Sequence, residues 1–227
     1  MTGYKIIDHE QIDKHITFLR VNPTDISITL REILLSFNDL SWISRFDEDY
    51  QKTSYTLRAE KTAKYIADYI IEANAEKITS DSAEYVVSEL ARQAIVQQLK
   101  YLDVPLAELF KKNVALNPGF DFYTRNLSEI LLFGEAKYVA KQNAYGSSLK
   151  QIIKFIEQQQ DLTDLIDIKD FFCKNSLSNC SKGNRGFIAA FSAKGTATKQ
   201  LIENIKSNKH FMEASKYQEL ICVAVNL

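Results

Sequence analysis

Apolar positions along residues 1 to 52 come in short runs, Tyr4 to Ile7, Ile16 to Leu19 and Ile26 to Leu35, broken by Asn22-Pro23 and by Asn38-Asp39. Runs of this length predict several short elements and leave their type open. From Leu57 the spacing changes. Leu57, Ala63, Ile66, Ile70 and Ile71 recur near the helical period with no Gly or Pro between them, which predicts an amphipathic helix. The Ser80-Asp81 pair suits an N-cap, and the helix it opens turns Tyr85, Val86, Leu90, Ile95, Val96 and Leu99 toward a core, with Glu89 on or beside that face.

After Asp103-Val104-Pro105 and a short helical turn, Asn117-Pro118-Gly119 has the chemistry of a turn and delivers the chain into GFDFYTRN. Here the period becomes two: Phe120, Phe122 and Thr124 alternate with Asp121, Tyr123 and Arg125. Glu129 to Val139 (EILLFGEAKYV) is an apolar run with the length of a buried strand, and Asn126-Leu127-Ser128 between the two segments predicts a hairpin. Ser147 or Ser148 then caps a helix through Gln160; GFIAAFSA predicts a strand, residues 196 to 208 a helix, and ELICVAVNL a final strand. The expected fold class is α/β, a central mixed sheet flanked by helices over residues 80–227, preceded by a mostly helical, α-rich N-terminal extension over residues 1–79. No internal repeat or low-complexity tract divides the chain further.

Composition narrows the class. A chain of 227 residues that is 45% hydrophobic and 25% charged, with 7 Gly and 3 Pro, is that of an ordinary globular protein rather than a disordered or fibrous one. The formal net charge of −1 supplies no bulk positive field, so contact with nucleic acid has to rest on local cations or on bound metal. The N-terminus has no basic start followed by an apolar run, and no stretch approaches the roughly 20 apolar residues of a membrane span; the expectation is a cytoplasmic protein with no membrane contact. Cys173, Cys180 and Cys222 show no metal-ligand spacing and read as ordinary thiols, with Cys222 in the core. His9, His15 and His210 are scattered, which gives no support to a His-based metal site or a nucleophilic triad, and phosphate-binding Gly-rich loops are absent.

The candidate chemistry lies in the hairpin. Side chains in a strand alternate faces, so Glu135 and Lys137 point one way and Ala136 the other. Two adjacent strands bring Asp121 and Glu135 to the same end of the sheet. Two carboxylates at close range repel unless a cation neutralises them, and hard oxygen ligands with open water positions suit Mg²⁺ or Mn²⁺. A Glu-x-Lys triplet alone is common in a charged chain. Glu135, however, interrupts an otherwise apolar strand, where an unpaired carboxylate would cost several kcal/mol, on the order of a lost charge-solvation shell, without a compensating cation. Hydrolysis of a nucleic-acid backbone is the expected reaction, with Lys137 positioning or helping to deprotonate the attacking water.

GFDFYTRN followed by ILLFGEAKY resembles the Asp…Glu-x-Lys signature of the PD-(D/E)xK nuclease superfamily, with Asp121, Glu135 and Lys137 at the matching positions. Within it, GFDFY, FGEAKY and the following SSLKQIIKFI most resemble the HamA-type nucleases of Hachiman antiphage systems, over about half the chain. Asn117-Pro118-Gly119-Phe120 stands before the Asp in place of an immediate Pro-Asp. The resemblance implies a restriction-endonuclease-like core of helix, three-stranded meander, helix and strand. It also implies a helix acid at Glu89, a polar site residue at Gln151, and metal ligation by Asp121, Glu135, Ala136 and Glu89. It further implies a Mg²⁺-dependent (or Mn²⁺-dependent) deoxyribonuclease acting on DNA with a helicase partner in antiviral defence.

Lys182 and Arg185 in SKGNRG, and Lys150 on the helix after Glu-x-Lys, suit contact with a phosphate backbone and equally suit a solvated surface. Two other readings stay open at this point: a stand-alone restriction or repair endonuclease, and a nucleic-acid-binding subunit whose nuclease-like fold no longer cuts. The choice between DNA and RNA, and whether the chain forms a homo-oligomer, are not written in the sequence.

Overall fold

A computed structural model of the chain describes residues 3–72, 80–111 and 118–227, with side chains from 69 to 72 and at 80 and 81 left aside. In chain order the elements are β1 (Tyr4–Asp13), β2 (Ile16–Pro23), α1 (Ile26–Asn38), α2 (Asp49–Glu72), α3 (Ser80–Leu99), α4 (Ala107–Phe110), β3 (Phe122–Arg125) and β4 (Leu131–Lys137). They continue with α5 (Tyr145–Glu157), α6 (Gln160–Thr163), α7 (Leu165–Ile168), α8 (Lys174–Ser181), β5 (Arg185–Ala193), α9 (Thr198–Lys206), α10 (Lys209–Ala214) and β6 (Glu219–Asn226). The strands form one mixed sheet in the order β1-β2-β6-β5-β4-β3, with β2, β6, β5 and β4 parallel and the two outer strands antiparallel to their neighbours. The protein is therefore α/β, with helices flanking a six-stranded sheet.

The central strands are mostly apolar because helices cover them: α3 packs on β4, β5, β6 and β2, and α5 on β4 and β5. All of Leu131–Ala136 and all of Gly186–Ala193 are buried. Phe120, Phe133, Phe155 and Phe187 form an aromatic cluster around the first residues of β3, with ring centroids 5.0 to 5.9 Å from Phe120. Gly134 makes room for Phe122, its partner in the β3–β4 ladder, since a Cβ there would sit 2.4 Å from the Phe122 ring. The hairpin turn is closed by Asn126, whose Oδ1 accepts from the N–H groups of Ser128 and Ile130 at 2.9 Å each.

Three expectations change. Residues 4–23, expected within a mostly helical extension, are two strands, and β2 pairs in parallel with β6, so the start of the chain is built into the same sheet. β1 is an edge strand with most positions partly or fully exposed, which blurs the alternation that marks a strand; β2 is buried because it lies between β1 and β6. The three-stranded meander is a two-stranded hairpin among the described residues, because β3 is itself the sheet edge. The helix predicted from Leu57 starts earlier, at Asp49. The proposed N-cap side chains of Ser80 and Asp81, and Ile70 and Ile71, lie outside the described side chains, and the 79/80 boundary adjoins residues outside the description.

α3 sets the direction of the site. Its N-terminal turns lie beside the C-terminal end of β4, where Glu84 meets Lys137. Past its other end, Tyr101 reaches Glu219 at the beginning of β6. The helix thus runs against the parallel strands, and only its first turns reach the edge of the sheet where those strands finish.

Candidate active site

The parallel strands of an open α/β sheet present their carboxyl ends to ligands, and here that end of β4 carries Glu135 and Lys137. β3 runs the opposite way, so Asp121, the residue just before it, arrives at the same edge. The Asp121 N–H donates to the Gly134 carbonyl at 2.9 Å, and its carbonyl accepts from Ala107 N–H at 2.9 Å. Asp121 Oδ2 then accepts from the Ala136 N–H at 2.7 Å. The backbone N–H and C=O of one strand residue point the same way, so the Ala136 carbonyl also faces the Asp121 side of β4, where β3 has ended. The Ser148 hydroxyl of α5 donates to the Glu135 carbonyl at 2.9 Å and ties the strand end to the helix.

Glu135 is 3% exposed. Its Oε1 lies 2.9 Å from Lys137 Nζ, while Oε2 is buried with no hydrogen-bond partner. Lys137 Nζ is also 3.5 Å from Glu84 Oε2, and Glu84 Oε1 accepts from Tyr138 N–H at 3.4 Å. A cleft of about 650 Å³ opens over this group. Beside Asp121, Glu135 and Lys137 it is walled by Glu84 and Ser88 of α3 and by Gln151 of α5.

Crowded charge perturbs all three central groups. Burial pushes the Asp121 carboxyl up to about 6, against the pull of the Lys137 ammonium and the Ala136 N–H. Burial and then the Asp121 charge raise Glu135 well above the carboxylate range, with Lys137 pulling the other way. Burial presses Lys137 toward its neutral form, but Glu135, Asp121 and Glu84 outweigh it and hold its pKa above the ordinary lysine value.

Gln151 stands in the cleft wall. Glu89 does not. It is buried against α1 on another side of α3: Arg92 grips both its oxygens, Nε to Oε2 at 2.8 Å and Nη2 to Oε1 at 2.6 Å, and Ser36 and Gln93 also donate to it. Five residues separate Glu84 from Glu89, a rotation of about 140° around a helix, so the two cannot serve one site. The acid that α3 supplies to the cleft is Glu84, which sequence reasoning missed; its signal is position along the axis, near the helix start.

The three proposed backbone contacts fall elsewhere. Arg185 opens β5 at the opposite edge of the sheet from Lys137, forms an ion pair with buried Asp161 and lies 5.5 Å over the Tyr217 ring. It is a structural cation, and Lys182, exposed just before it, shares that far edge. Lys150 is exposed on α5 beside Gln151 and is not part of the cleft wall.

Among the described residues no three His, Cys, Asp or Glu side chains close into a metal cage. Asp121 and Glu135 do fit a hard divalent cation of the kind held by one or two carboxylates, waters and substrate oxygens. The buried, unpartnered Glu135 Oε2 is the atom that lacks a counter-ion. Comparison with known protein families, curated proteins and solved structures finds no match to the chain. No helix of the described residues is long and apolar enough to cross a membrane.

Proposed function

We propose that this chain is a divalent-metal-dependent nuclease that hydrolyses DNA phosphodiester bonds on a restriction-endonuclease-like core, as the effector of an antiphage defence complex with a helicase partner. The observation that carries the hydrolytic reading is the Glu135 carboxylate: inserted in an apolar strand, paired on one oxygen with Lys137, orphaned on the other, and set beside Asp121. Buried Glu89, by contrast, has both oxygens satisfied.

Asp121, Glu135 and the Ala136 carbonyl would hold Mg²⁺ or Mn²⁺, with Glu84 across Lys137 from them. When bound, such an ion polarises a phosphoryl oxygen and acidifies a coordinated water. The chain supplies the rest. The Ala136 N–H and the Gly134 carbonyl fix Asp121, Ser148 fixes the Glu135 peptide, and the Lys137 ammonium offers N–H donors to a negatively charged phosphate oxygen in the cleft. Glu84 and Glu135 hold that ammonium from two sides. With four carboxylates, Glu84, Glu108, Asp121 and Glu135, to one cation on its walls, the cleft disfavours a phosphodiester until a metal ion offsets the charge.

The test is incubation of the purified protein with linear, circular and single-stranded DNA and with RNA, in Mg²⁺, Mn²⁺ or chelator, beside Glu135→Ala. Metal-dependent DNA cleavage lost in the variant is expected. Cleavage that survives chelation or the Glu135→Ala change removes the assigned centre, and a wild type that binds nucleic acid without cutting favours the non-cleaving subunit. Purification from the native operon tests the defence assignment: a stoichiometric helicase supports it, and an active protein purified alone supports a stand-alone endonuclease.

A further inference from the structure

The segment that delivers Asp121 to the cleft is gripped from inside the protein by a buried ion pair. Asp164, between α6 and α7, is 1% exposed. Its Oδ2 accepts from the Tyr123 hydroxyl at 2.6 Å and from the Phe120 N–H at 3.2 Å, and its Oδ1 accepts from the Gln160 side-chain amide at 2.8 Å. Lys111 is buried 3.9 Å from Asp164 Oδ2 and donates to the carbonyls of Pro118 at 2.7 Å and Phe120 at 3.4 Å. Its Nζ also lies 5.6 Å over the Tyr123 ring. One anion and one cation thereby hold the N–H of Phe120 and the carbonyls on either side of it. Gly119 completes the fit: its φ is +101°, and a Cβ there would meet both Asp164 oxygens at 2.5 Å.

Packing alone does not ask for this pair. Removing two charges from water is expensive, and apolar side chains of similar volume commonly stabilise a core as well or better. What Leu and Met cannot do is hydrogen-bond three peptide groups immediately before Asp121. Gln160 extends the network outward, since it bonds Asp164 and also forms part of the cleft wall.

We infer that Asp164 and Lys111 are positioning residues for Asp121: the pair locks Pro118 to Phe120 so that the Asp121 carboxylate meets Glu135 at the end of β4. The inference rests on the metal-dependent reading of that centre. Neither residue touches the reacting atoms. Their effect reaches the centre through the backbone, as the partners behind metal ligands do elsewhere. The Lys111 charge also favours the ionised Asp121 directly, and replacing both members of the pair removes it together with that of Asp164.

The experiment replaces the pair by apolar residues, Lys111→Met with Asp164→Leu, and separately makes Tyr123→Phe, which deletes one hydrogen bond to Asp164. Mn²⁺ binding is measured by titration calorimetry well below the melting temperature, beside wild type and Glu135→Ala, with thermal melts and cleavage rates on the same samples. The expected result is a folded double variant whose Mn²⁺ affinity falls about tenfold or more and whose kcat falls at saturating DNA and Mn²⁺, with Tyr123→Phe shifted the same way by less. A merely structural pair would lower the melting temperature and leave Mn²⁺ affinity of the folded protein alone; that outcome overturns the inference. Should the double variant not fold, wild-type affinity in folded Tyr123→Phe overturns it instead. A wild type that binds Mn²⁺ no better than Glu135→Ala overturns the metal reading itself, and the inference with it, which separates the two failures.

Discussion

The Ala136 N–H donates a 2.7 Å hydrogen bond to Asp121 Oδ2, just beyond the point where the β3–β4 ladder has ended. The bond consumes one carboxylate oxygen and leaves the other toward the cleft. Asp121→Asn keeps an acceptor for that N–H and removes the charge, so the fold should persist while the metal is lost. The expected result is a melting temperature at or above that of wild type in chelator at neutral pH, with cleavage reduced by about two orders of magnitude or more, the scale of losing a charge-stabilising group in an active site. Near-wild-type cleavage by Asp121→Asn would take Asp121 out of the centre.

Glu84 and Glu89 share α3 and should fail in opposite ways. Glu84 is half-exposed and its bonds are long, so Glu84→Gln should cost little stability, within about 0.5 kcal/mol for a surface change, yet lower cleavage by disturbing Lys137. Glu89→Ala removes the buried partner of the Arg92 guanidinium and leaves it the more exposed Asp103, so the cost should lie near the lower end of the about 3–5 kcal/mol for breaking a buried pair. Its specific activity per folded molecule should stay near wild type. Urea unfolding and cleavage rates on both variants separate the roles, and a stable but inactive Glu89→Ala would reverse them.

These two residues also mark the limit of what the sequence reveals. Asp121, Glu135, Lys137 and Gln151 were legible because a strand period and a hairpin turn are local patterns: they fix which side chains share a face and which strand ends meet. Choosing between Glu84 and Glu89 requires the direction in which α3 crosses the sheet, a tertiary fact carried by contacts such as Glu84 with Lys137 and Tyr101 with Glu219. β1 and β2 were obscure for a related reason. β2 finds its partner in β6, about two hundred residues along, and β1 is polar on an exposed edge. Arg185 reads as part of a solvated turn in SKGNRG, whereas its partner Asp161 lies on a short helix well upstream.

Asp161 is fully buried, and burial raises its pKa even though the Arg185 charge opposes the shift. Arg185→Ala should therefore destabilise the protein by about 3–5 kcal/mol through the uncompensated carboxylate, less to the extent that Asp161 protonates. Lys182→Ala, at the same edge but exposed, should fall within about 0.5 kcal/mol of wild type. Since this edge is six strand residues from Lys137, about 20 Å, Lys182→Ala should also leave DNA affinity and its salt dependence unchanged. A weaker, less salt-sensitive interaction in Lys182→Ala would restore the backbone-contact role to this loop.

The metal-free centre makes the folded protein sensitive to pH in a definite direction. Ordinary Asp and Glu side chains titrate near about 4, while Asp121 titrates at about 6 and Glu135 well above the carboxylate range in the folded chain. A folded value above the unfolded one means that the folded state holds its proton more tightly. The stability this contributes is complete below about pH 4 and is lost as pH rises through about 6 for Asp121 and higher for Glu135. In chelator, the melting temperature of the wild type relative to Asp121→Asn/Glu135→Gln should fall between about pH 5 and pH 8. A divalent cation replaces the missing protons, so Mg²⁺ should raise the wild-type melting temperature more at the upper end of that window than at the lower, and should leave the double variant unmoved. A wild-type difference that is flat or rises with pH would mean that the two carboxylates do not share the buried, uncompensated environment on which the metal assignment depends.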